Sequence, residues 1–122
     1  MEKILIVDDE NDIAELISDI LEDEGYETVI ANDGKTAIKL VKEEKFDLVL
    51  LDVMMPDISG TEVCANIRNE TSCPIIFVTA KTNLTSKLVG FEVGADDYIT
   101  KPFVNEELVA RVKAHLRREG RL

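Results

Sequence analysis

The chain has 122 residues, 45% of them hydrophobic, which suits a single domain with its own core. Its formal net charge of -11 and pI near 4.5 argue against this segment gripping nucleic acid or an anionic membrane by itself. No apolar run approaches the roughly 20 residues of a membrane helix. Met1-Glu2-Lys3 leads straight into a strand-like run rather than a signal peptide, so the expected location is the cytoplasm. Cys64 and Cys73 have no CxxC spacing and His115 stands alone, a poor set for a thiol metal site or for Ser/His or Cys/His catalysis.

Taken in order, Lys3 to Val7 reads as a first strand, ending in Asp8-Asp9-Glu10. Ile13, Leu16, Ile17, Ile20 and Leu21 then recur at helical spacing. Asn11 or Asp12 is the expected cap of that helix, and Gly25 suits its end. Tyr26 to Ala31 is a second strand. Asn32-Asp33-Gly34 is a turn, and Ala37, Ile38 and Val41 mark the next helix. Leu48-Val49-Leu50-Leu51 is a short apolar run, the pattern of a strand buried on both faces. It stops at Asp52, and Met54-Met55-Pro56-Asp57-Ile58-Ser59-Gly60 is turn chemistry. Gly60 to Asn69 is a helix. Ile75 to Val78 is a fourth strand running into Thr79-Ala80, and Asp97 to Thr100 a fifth, closed by Lys101-Pro102. Asn105 is expected to cap a last helix carrying Leu108, Val109, Val112 and Leu116. A helix over Asn83 to Gly94 has two apolar sides, Leu84, Leu88 and Phe91 on one and Val89 and Val93 nearly opposite. One side can face its own core; the other needs a partner.

Strand and helix alternate five times, which predicts a parallel sheet covered by helices on both faces. All strand ends then share one edge, where such sheets bind ligands. That edge collects Asp8, Asp9, Asp52, Thr79 and Lys101. Clustered carboxylates repel unless a cation lies among them, and Mg2+ suits oxygen donors in a small site. A carboxylate there can be a nucleophile toward phosphorus, with the ion and a lysine neutralising the phosphoryl charge.

Together ILIVDDE, LVLLDVMMPDISG, FVTA and GADDYITKPF resemble the receiver domain of bacterial response regulators. The last of these, with Leu108-Val109-Ala110-Arg111, looks most like the OmpR/PhoB type. The resemblance implies a flavodoxin-like (βα)5 three-layer sandwich with strand order 2-1-3-4-5. It implies that Asp52 accepts a phosphoryl group from a phosphohistidine on a sensor histidine kinase. Asp9 and Asp52 would ligate Mg2+ directly, Met54 would offer its backbone carbonyl, and Asp8 would act mostly through a water. Thr79 and Lys101 would take phosphoryl oxygens, Tyr98 would be the switch, and the Lys101-Pro102 bond would be cis.

The resemblance further implies residues 1-118 as the receiver and 119-122 as the start of a linker to a C-terminal winged-helix DNA-binding domain, through which transcription would be controlled. A two-fold dimer is expected on phosphorylation. Leu88, Phe91 and Ala110 would form its apolar centre. Across the two copies Lys87 would meet Glu107, Glu92 would meet Lys113, and Asp97 would meet Arg111, with Asp96 beside them. Two other readings compete: a stand-alone binding module, and a Mg2+-dependent phosphohydrolase. The hydrolase needs a second acid near Asp52, but residues 53-55 are Val-Met-Met.

Overall fold

The computed structural model of the chain describes residues 1-80 and 94-119. Leu88, Phe91, Lys87 and Glu92, with most of the helix predicted over 83-94, lie outside the described residues.

Five strands form one parallel sheet: Lys3–Val7 (β1), Glu27–Ala31 (β2), Leu48–Leu51 (β3), Ile75–Thr79 (β4) and Asp97–Thr100 (β5). Their order is β2-β1-β3-β4-β5, as the resemblance implied. Alternate side chains of the three central strands enter opposite cores, so these strands read as unbroken apolar runs. Leu5, Val7, Val49, Leu51, Ile75 and Phe77 face one core. Ile4, Ile6, Leu48, Leu50, Ile76 and Val78 face the other. Helices Gly34–Glu43 (α2) and Gly60–Arg68 (α3) cover the first, through Ala37, Val41, Val63, Cys64 and Ile67. Helices Asn11–Asp23 (α1) and Asn105–Glu119 (α4) cover the second, through Ala14, Ile17, Leu21, Leu108, Val112 and Leu116. The result is three layers with a core on each side of the sheet.

Two caps differ from expectation. Glu10, not Asn11 or Asp12, is the N-cap of α1, and it makes no side-chain capping bond; its carbonyl accepts from Ile13 and Ala14. The chain turns one residue early because the Asp8 carboxylate accepts the Glu10 amide at 2.9 Å. Asn105 is the first residue of α4 rather than its cap, since the Val104 carbonyl accepts from Glu107 and Leu108. Gly25 closes α1 with φ +93°, a conformation that favours glycine.

Candidate phosphoacceptor site

The C-terminal edge of the sheet carries the site. Asp8 follows β1, Asp52 follows β3, Thr79 ends β4 and Lys101 follows β5. The Lys101 amide donates to the Thr79 carbonyl at 2.9 Å, which holds the β5 end against β4. Asp8 is 2%, Asp52 5% and Thr79 0% exposed, so the polar cluster is sunk into the edge of the sheet.

Lys101 bridges the two buried acids. Its Nζ lies 2.8 Å from Asp8 Oδ2 and 3.3 Å from Asp52 Oδ2. Asp52 Oδ1 accepts the Met54 amide at 3.1 Å, which fixes the rotation of the carboxylate. Burial pushes the Asp52 carboxyl up, against the Met54 amide and the Lys101 ammonium, which favour its charged form; Asp8 adds repulsion. Burial alone would push the Lys101 ammonium down, but its bond to Asp8 and the charges of Asp52 and Asp8 outweigh it and raise the group.

One carboxylate oxygen each from Asp8, Glu10 and Asp52 lie within 4.8 Å of one another. Three hard oxygen donors in that space, on a background of negative charge, fit a small divalent cation. Glu10 joins this group and Asp9, exposed beside it, does not. Residue type could not separate these two acids. The local feature is the turn at Asp8, where the Glu10 amide bonds the Asp8 carboxylate and Glu10 becomes the α1 cap.

The loop after Asp52 is held by a glycine. A Cβ at Gly60 would sit 2.3 Å from the Asp52 carbonyl oxygen and 2.5 Å from Val53 Cα. Gly60 therefore lets α3 start directly against the backbone of the acid, and its amide donates to the Val53 carbonyl at 2.8 Å. Met54 is exposed at the mouth.

Tyr98 is buried from β5, its ring edge-on to Phe77 with centroids 5.3 Å apart. The Lys101-Pro102 bond is cis. Residues expected at a two-fold interface have partners within the chain. Arg111 reaches Asp97 at 2.8 Å and Glu107 at 3.3 Å, Lys113 reaches Glu24 at 2.7 Å, and Asp96 pairs with Arg68 at 3.2 Å. His115, remote in sequence, is buried against Asp97 at 3.0 Å. Ala110 is exposed. Among the described residues no helix is long and apolar enough to cross a membrane.

A doubly wound parallel sheet with buried acids, a hydroxyl and an ammonium at the ends of its strands defines a class of α/β proteins that handle phosphoryl groups at that edge. The family model for the response regulator receiver domain matches residues 4–113, and the chain belongs to that family. It is a receiver domain of two-component response regulators, a signalling module with a phosphoacceptor role.

Solved structures agree. A two-component response regulator from Clostridium difficile is 37% identical, with TM-score 0.95, and the match covers 98% of each chain. The response regulator protein TrrA from Thermotoga maritima, solved in complex with Mg2+ and BeF, is 42% identical, with TM-score 0.85, over 93% of this chain and 98% of that one. The BeF3-activated N-terminal receiver domain of Klebsiella pneumoniae RstA is 34% identical, with TM-score 0.90, over 95% of this chain and 99% of that one.

Proposed function

We propose that Asp52 is the phosphoacceptor, and that its phosphorylation by a sensor histidine kinase switches the face around β5 and α4. The observation that carries this reading is the buried Asp52 carboxylate, held by the Met54 amide and within reach of the Lys101 ammonium. An Asp52 oxygen attacks the phosphorus of a phosphohistidine. The new P–O bond forms as the P–N bond breaks, and the electron pair leaves with the histidine nitrogen. Lys101 and the Thr79 hydroxyl take the phosphoryl oxygens.

Asp8, Glu10 and Asp52 would hold Mg2+, with Asp9 and the Met54 carbonyl as further donors on the strength of the family resemblance. When bound, the ion supplies charge neutralisation for the phosphoryl oxygens. The Mg2+ complex of TrrA, 42% identical, supports this choice of metal.

Thr79 drawn toward the new phosphoryl group would shift the β4 end and, beside it, Tyr98 on β5. That is a population shift between two arrangements of one face. Ala110, exposed on α4, with Arg111, Lys113 and Glu107 around it, supports a homodimer on that face, where the within-chain ion pairs would exchange for cross-subunit ones. The RstA neighbour is described as an N-terminal receiver. That, with the basic stretch after Leu116, supports residues 119-122 as the start of a linker to a DNA-binding domain of the OmpR/PhoB type.

Incubation with acetyl phosphate, with and without Mg2+, tests the chemistry. Stable Mg2+-dependent labelling of the protein is expected. Steady release of phosphate would instead indicate a hydrolase, and no change a binding module. Sedimentation with beryllium fluoride tests the dimer. Arg111→Glu is expected to weaken it, and a dimer indifferent to that change would exclude this face.

A further inference from the structure

The loop from Met54 to Ser59 that follows Asp52 is tied sideways to a different helix. Asp57, near its middle, accepts the Gly34 amide at 3.1 Å and the Lys35 amide at 3.3 Å. These are the first two amides of α2, which have no partner inside the helix. Asp33 serves the next two, its side chain accepting from Thr36 at 2.7 Å and its carbonyl from Ala37 at 3.2 Å. Of the three α2 amides that lack a regular intrahelical bond, the N-cap side chain takes Thr36 and a carboxylate from the phosphoacceptor loop takes Gly34 and Lys35.

Charge favours the arrangement, because an anion at a helix N-terminus meets the positive end of the helix dipole. The amides of Ile58, Gly34 and Lys35 hold the Asp57 carboxyl below the usual carboxylate range. Geometry requires a glycine. A Cβ at Gly34 would lie 2.7 Å from Val63 Cγ2 and 3.2 Å from Ile58 Cβ, so any larger residue would push α2 off the loop and α3. Met55 and Ile58 give the loop apolar anchorage on the same side. Apolar contact sets no direction; the Asp57 bonds do.

We propose that Asp57 is a positioning residue for the phosphoacceptor site: its bonds to α2 fix the loop so that the main chain of Met54 is held against Asp52. The proposal rests on the reading of Asp52 as phosphoacceptor with Mg2+ beside it. The Met54 amide already binds Asp52 Oδ1 at 3.1 Å. Without the Asp57 bonds, the Met54 main chain keeps only its own bond to Asp52 and the apolar contacts of Met55 and Ile58.

The test compares Asp57→Ala with Asp33→Ala. Both remove a cap from the same helix terminus; only the first touches the loop. Mg2+ binding to the unphosphorylated protein is followed by calorimetry, and labelling by acetyl phosphate is followed as a function of Mg2+. Both are run well below the melting midpoints of the two variants. Asp57→Ala should weaken Mg2+ binding by roughly tenfold, the low end for residues that hold a ligand from behind. Its labelling rate should recover at saturating Mg2+. Asp57→Asn, which keeps an acceptor, should fall between. Asp33→Ala should bind and label as the unaltered protein does. If Asp57→Ala and Asp33→Ala bind Mg2+ alike, the inference is overturned while the phosphoacceptor reading stands. If the unaltered protein neither binds Mg2+ nor labels, that reading fails and the inference with it.

Discussion

Lys101→Met removes one charge and keeps most of the side-chain stem. Asp8 and Asp52 would then face each other with no ammonium between them. At the observed 2.8 and 3.3 Å, and an effective dielectric of about 20, the lost attractions are about 6 and about 5 kcal/mol. The net loss is smaller, because Lys101 itself no longer has to shed water. Breaking a buried pair from one side costs about 3–5 kcal/mol. For a domain of this size about 1 kcal/mol moves the melting midpoint by about 4 °C, so a drop of about 12–20 °C is expected in EDTA. Mg2+ should raise the midpoint of Lys101→Met more than that of the unaltered protein, since the ion restores positive charge where the ammonium was lost. Lys113→Met is the control: its pair with Glu24 is solvated, at 43% and 35% side-chain exposure, and its midpoint should hardly move. Circular dichroism melts of the three proteins, with and without Mg2+, give the answer. A Lys101→Met midpoint within about 2 °C of the unaltered protein would refute the picture of an ammonium holding two buried carboxylates together, since the expected shift is several times larger.

Other outcomes follow from single residues. Gly60→Ala should destabilise by at least about 2 kcal/mol in urea titrations and slow labelling, because its Cβ meets the backbone of Asp52 and Val53, which cannot swing aside. Cys64, buried with its thiol pushed up to about 11, should resist iodoacetamide at pH 8 in the folded protein and react only on unfolding; rapid native alkylation read by mass would contradict the packing. Asp97 is pushed up by burial, but bonds from His115, the Tyr98 amide and Arg111 outweigh that and leave its carboxyl below the usual range. A carboxyl lowered in the folded state stabilises above its unfolded pKa of about 3.9, and that contribution disappears as pH falls through the folded value. The gap in urea midpoint between the unaltered protein and Asp97→Asn should therefore be full at pH 7 and close below about pH 4. A gap that did not narrow at all as pH fell from about 5 to about 2 would assign the loss to packing instead.

The sheet was legible because its central strands are buried on both faces, so Ile4 to Val7, Leu48 to Leu51 and Ile75 to Val78 stand out as apolar runs closed by polar tips. Parallel pairing then brought Asp8, Asp52, Thr79 and Lys101 to one edge without further information. What sequence could not resolve was local direction. Asp9 and Glu10 are adjacent exposed acids, and only the turn fixed by the bond from the Glu10 amide to Asp8 shows that a Glu10 oxygen lies near those of Asp8 and Asp52. Ion pairs were equally opaque. Arg111, Lys113 and Asp97 carry charges that could pair within or between chains, and only the packing of α4 against α1 and β5 places Glu24 and Asp97 within reach. The Asp57 tie to α2 spans 23 positions and has no periodic signal, though Asn32-Asp33-Gly34 did mark a helix start there.

The central claim is that Asp52 takes the phosphoryl group. Labelling with acetyl phosphate and Mg2+, followed by peptide mapping in a mass spectrometer, tests it directly. One phosphoryl group on the peptide that carries Asp52, absent from Asp52→Asn and absent in EDTA, is the predicted result. A label that persisted in Asp52→Asn, or that mapped to another residue in the unaltered protein, would contradict it.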